Sequence, residues 1–62
     1  MQQAYQVIAQ RVKERGISKA ELGRRIGIDD ELLRRALIGK RKIPADEFVK
    51  LCQILGLEIS DF

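Results

Sequence analysis

Sixty-two residues can form only one domain, and a chain this short buries roughly 60% of the surface it exposes when unfolded, so its core has no room for a deep catalytic cavity. A hydrophobic share of 45% against 34% charged residues excludes disorder by composition, and no run approaches the ~20 apolar residues of a membrane span. The single cysteine and the absence of histidine exclude an internal disulfide and remove the commonest residue of metal and acid–base chemistry, while the net charge of +3 is uneven: Met1 to Lys42 carries +6 and Ile43 to Phe62 carries −3. The basic part is suited to a polyanion, although a solvated charged surface would look the same.

Ala4, Ile8 and Val12, with Tyr5 beside them, place one apolar stripe on a first helix running from Ala4 to Arg15 and stopped by Gly16. Ser18 then reads as the N-cap of a second helix. Glu21 stands three residues later, as in a reciprocal capping box, and Ile17 and Leu22 occupy the staple positions around it. That helix ends near Ile26 because Gly27 suits a left-handed turn. Asp29-Asp30-Glu31 fits the cap and first turn of a third helix, whose Leu33, Ala36 and Leu37 continue at helical spacing to a stop at Gly39. Only about three residues separate the second and third helices, which forces a sharp crossing.

A basic loop, Lys40-Arg41-Lys42, precedes Ile43-Pro44, and the proline suits the first turn of a fourth helix. Asp46 and Glu47 complement that N-terminus, and Phe48, Leu51, Cys52 and Leu55 form its apolar face up to Gly56. Cys52 is expected to be a small buried core residue. Leu57, Ile59 and Phe62 remain for a short final turn or one-turn helix.

The run Ile17-Ser18-Lys19-Ala20-Glu21-Leu22-Gly23-Arg24-Arg25-Ile26-Gly27-Ile28, then Leu33 and Ala36, then Gly39-Lys40-Arg41-Lys42 and Leu55-Gly56-Leu57, resembles the lambda-type repressor and Cro family, also called the XRE family. The resemblance implies an all-α, compact four- to five-helix domain with its helix-turn-helix at helices two and three, occupying residues 1–62 as a single Cro-sized unit. It implies that a homodimer binds duplex DNA in the cytoplasm, with helix three in the major groove and helix two directing its N-terminus at a phosphate.

On that resemblance the base-reading positions fall on Asp29, Asp30, Glu31, Leu32 and Arg35, with Lys19 reaching the site edge. Phosphate contacts fall on Ser18, Arg34, Lys40, Arg41 and Lys42, and less readily on Arg24 and Arg25. The family pairs through its C-terminal region, which makes Val49, Ile54, Ile59 and Phe62 candidates for the seam; Ile59 and Phe62 are equally suited to closing the monomer core.

Two departures from the family pattern bear on function. Relatives usually carry Ser, Thr, Gln or Asn where this chain has Asp29-Asp30-Glu31, and carboxylates repel phosphates, so these three either cap the helix or read the cytosine amino group. Many relatives also carry a partly buried arginine–glutamate pair at the positions of Val12 and Leu37. Replacing both partners by apolar residues leaves no orphaned charge, so Val12 and Leu37 are expected to pack together. Ile38, apolar where relatives are polar, is either tucked over the core or part of a partner surface.

No nucleophile–base pair or phosphate-cradling glycine loop is present, and Ser18 is accounted for as a cap, so the chain is not expected to be an enzyme or to need a metal or small-molecule cofactor. The alternative on the same fold is a protein-interaction module, antitoxin-like or anti-repressor-like, using the acidic start of helix three with Leu32 and Ile38.

Overall fold

A computed structural model describes residues 2–62 as four α-helices, α1 (Ala4–Arg15), α2 (Lys19–Ile26), α3 (Asp30–Leu37) and α4 (Ala45–Leu55), followed by a 3-10 turn at Ile59–Asp61. Each boundary has a local cause. Gly16, Gly27 and Gly56 follow α1, α2 and α4 in the left-handed region at φ of 65°, 79° and 67°, where a side chain would be strained. At the other ends Ser18 Oγ accepts the backbone N–H of Glu21 at 3.1 Å, and Asp29 Oδ1 accepts that of Glu31 at 3.2 Å. Gln6 Oε1 likewise accepts the N–H of Gln3 at 2.7 Å, a start to α1 that carries no acidic or hydroxyl signal in the sequence.

Leu22 and Ile26 of α2, Leu33 and Leu37 of α3, Ile8 and Val12 of α1, and Leu51 and Leu55 of α4 converge with Leu57 on one core, against which Ile17, Ile28, Ile43 and Phe48 pack as half-buried neighbours. α2 packs on α3, while α1 lies against both α3 and α4. Among the described residues no polar or charged residue is buried, so the core depends on apolar burial alone. Truncating a fully buried leucine such as Leu22 or Leu33 to alanine costs about 2–5 kcal/mol. A domain of this size has about 3–9 kcal/mol in total, so one such change can unfold it. Val12 and Leu37 are both in this core, as apolar replacement of an ion pair requires.

Several local expectations are corrected. The reciprocal half of the Ser18 capping box is not formed, because the Glu21 carboxylate turns outward to Arg24 and Arg25. Pro44 is the cap of α4 and not its first helical residue; its carbonyl accepts the N–H of Phe48 at 2.9 Å. Gly39 does stop α3, at φ 83° with its N–H on the Ala36 carbonyl at 3.2 Å and the N–H of Lys40 on the Arg35 carbonyl at 2.9 Å, but Ile38 just before it is 46% exposed, which removes the reading that it tucks over the core. Cys52 is only partly buried. Its helical spacing from Phe48 and Leu55 puts it at the margin of the apolar face, where burial and then Asp61 push the thiol pKa up. Among the described residues, no helix is long and apolar enough to cross a membrane.

Candidate nucleic-acid interface

The crossing of α2 over α3 determines what the surface presents. A Cβ on Gly23 would lie 2.8 Å from the carbonyl oxygen of Ile28, so only glycine allows α2 to approach the turn Gly27–Asp29 this closely. The turn N–H groups of Gly27 and Ile28 both donate to the carbonyl of Gly23, at 2.8 and 2.9 Å. With Leu33, Ala36 and Leu37 facing the core, α3 leaves Asp30, Glu31, Leu32, Arg34 and Arg35 outward, and Ser18 and Lys19 are exposed at the start of α2.

The three carboxylates at the start of α3 have different surroundings. Asp29 is occupied as the cap. Glu31 accepts from Arg34 through Nε at 3.2 Å and Nη2 at 2.9 Å, and from Arg35 through Nε at 3.3 Å. The hydrogen bonds and charge of Arg34, with a smaller contribution from Arg35, hold the Glu31 carboxyl below the usual carboxylate range. Asp30, among the described residues, makes no side-chain hydrogen bond or ion pair, so of the three it is the acid that neither caps nor pairs.

The basic residues also divide. Arg24 and Arg25 both pair with Glu21 on the outer side of α2. Lys40 and Lys42 are exposed in the loop after α3, but Arg41 is turned inward and donates to both carboxylate oxygens of Glu47, at 3.0 and 3.1 Å. That pair is largely shielded from water, with the Glu47 side chain 13% exposed, and the hydrogen bonds raise the Arg41 pKa. Arg41 therefore fastens the loop to α4, and two of the three loop cations remain outward. Gly39, at φ 83°, completes the loop: a Cβ there would lie 2.6 Å from the Tyr5 ring.

The C-terminal candidates lie away from α3. Val49, Ile59 and Phe62 line an apolar groove of about 610 Å³ with Ala4, Phe48, Cys52 and Leu57. Phe62 packs on Phe48 with ring centroids 5.3 Å apart, and Ile59 is 93% exposed, so Ile59 does not close the monomer core. Ile54 is half-buried against the core and is not part of the groove lining. One tie in this region has no counterpart in the sequence pattern: Arg11 Nη1 donates to the Leu55 carbonyl at 3.0 Å, and its Nη2 lies 3.7 Å from Asp61, which holds the final turn to α1. Arg11 and Asp61 are fifty residues apart, so no spacing rule connects them.

Comparison with known proteins agrees with this arrangement. Residues 8–62 match the helix-turn-helix family, whereas no curated protein and no solved structure matches the chain. An all-helical fold, a glycine-dependent crossing of α2 over α3 and a match over nearly the whole length lead to one conclusion: the chain belongs to the lambda-repressor-like, XRE-type helix-turn-helix family, whose domains bind DNA and regulate transcription.

Proposed function

We propose that this chain is a sequence-specific transcriptional regulator of the phage or mobile-element repressor and Cro kind, acting in the cytoplasm as a homodimer whose α3 enters the major groove. The observation that carries this is the outer face of α3: its apolar residues are all turned to the core except Leu32, Arg34 and Arg35 stand outward on it, and Lys19 is exposed at the start of α2. Arg35, Lys19 and Leu32 then face base edges, with the first-turn carboxylates Asp29, Asp30 and Glu31 beside them. Arg34, Lys40, Lys42 and the amide end of α2 at Ser18 face phosphates. Ser18 accepts a cap bond through Oγ, which leaves its hydroxyl proton for a phosphate oxygen. The whole of residues 1–62 acts as this one unit, and pairing through Val49, Ile59 and Phe62 places two reading heads on one duplex.

A fluorescence titration with duplex DNA at graded salt tests the reading. A dimer neutralising about six to eight phosphates loses roughly a thousandfold or more in affinity between 50 and 200 mM salt. Absence of binding at the lowest salt would contradict it. The protein-interaction reading draws on Leu32 and Ile38, 38% and 46% exposed, and predicts the same absence of binding.

A further inference from the structure

The outer face of α3 carries one carboxylate shared by two guanidinium groups. Glu31 takes Arg34 side-on through Nε and Nη2, and its Oε1 also accepts from Nε of Arg35. The three residues are related by i, i+3 and i+4 spacing, so the arrangement is made within the helix and precedes any ligand. Its effect on the two arginines differs. Arg35 is held by Nε alone, which leaves the edge formed by its two terminal nitrogens free; that edge is the one that donates to O6 and N7 of guanine together. Arg34 has given up its side edge to two bonds and is the more tightly held; its terminal edge, made by Nη1 and the second proton of Nη2, is free as well, so the assignment of guanine to Arg35 rests on its base-facing position on α3 and not on donor count. Glu31, for its part, has about three of its four acceptor sites occupied, which leaves little capacity for a cytosine amino group.

We propose that Glu31 is a positioning residue for base recognition: it does not read a base, but holds Arg35 by Nε so that the terminal edge of the guanidinium addresses a guanine. The inference rests on the DNA-binding reading of α3. In water these exposed pairs are weak, because solvent screens them and long side chains lose freedom in making them. Entry into a groove removes that solvent, strengthens the coupling, and makes an arginine already restrained more favourable than one that must be ordered on contact. The same geometry assigns different roles to neighbouring acids: Asp29 caps, Glu31 positions, and Asp30 does neither, so its charge has only a repulsive effect on phosphates.

The test uses the full chain, a duplex selected from a random pool, and single base-pair variants of that duplex, with affinities measured at one salt concentration. Glu31→Ala is expected to keep guanine as the preferred base at one position while its discrimination there falls about three- to tenfold, a fraction of what a full bidentate contact supplies. Its binding to unrelated duplex should rise, because one negative charge is removed. Glu31→Gln, which retains a single acceptor, should fall between the two. Asp30→Ala removes the same charge and should raise unrelated-duplex binding without altering discrimination at that guanine. Unchanged discrimination in Glu31→Ala, or loss of preference for a cytosine in place of a guanine, would overturn the positioning role alone. Failure of the unaltered chain to bind any duplex would overturn the DNA-binding reading and this inference with it.

Discussion

Val12 and Leu37, 6% and 5% exposed, meet the same core from α1 and α3 at the two positions where many relatives carry an arginine and a glutamate. An arginine placed at one of them has no partner, and an uncompensated buried charge costs about 3–5 kcal/mol, a large part of what a 62-residue domain possesses. Val12→Arg should therefore be largely unfolded in a urea titration. Adding Leu37→Glu should restore much of the loss, so that the double variant is more stable than either single variant; additive losses would show that the two side chains do not meet. At this scale the sequence was legible where interactions are short in range. The Ser18 and Asp29 caps followed from residue type. The sharing of Glu31 by Arg34 and Arg35 lay in the i, i+3 and i+4 spacing, but the acidic cluster looked like a single unit because no pattern distinguishes a capping acid from a paired one. The Arg41–Glu47 pair crosses a loop containing Pro44, where no period applies, and only the fold shows that one of three loop cations is turned inward.

The α2–α3 unit depends on a clearance of one methyl group. Gly23→Ala would put its Cβ against the Ile28 carbonyl, a backbone atom fixed by the turn, so the helices must move apart. Such overpacking costs about 1–3 kcal/mol. The altered crossing should also weaken duplex binding at temperatures where the variant remains folded by circular dichroism. A variant with native stability and affinity would show that the crossing tolerates a side chain. Element boundaries were legible to within a residue because glycine stops and side-chain caps are local chemistry. The discrepancies have local causes as well: Arg24 and Arg25 compete successfully for the carboxylate that a capping box would use, and Pro44 holds the cap position with its φ of −60° and extended ψ. The apolar face of α4 was legible as a stripe, but its margin was not. Cys52 and Phe48 fall where the stripe meets the groove, and how far a marginal residue is covered depends on what the final turn leaves open.

For the molecule as a whole, Arg34, Arg35, Lys40 and Lys42 stand outward on α3 and its following loop, whereas three of the five exposed large apolar side chains, Val49, Ile59 and Phe62, line the C-terminal groove. One recognition helix reads few base pairs, and pairing of two copies supplies the specificity that one lacks. Ile59→Glu is expected to leave the helical content and the single half-site affinity unchanged while abolishing cooperative loading of two half-sites, as followed by gel shift. Retained cooperativity would place the seam elsewhere. The C-terminal groove was only partly legible, because Ile54 and Ile59 are alike in composition and only the fold shows that Ile54 is half-buried against the core while Ile59 is exposed. Whether a pair of α3 helices reads duplex DNA is decided by selecting bound sites from a random duplex pool with the full chain. Enrichment of an inverted repeat whose half-sites are centred about one helical turn apart, roughly 34–36 Å, is expected. A pool that shows no enrichment would contradict DNA reading by α3.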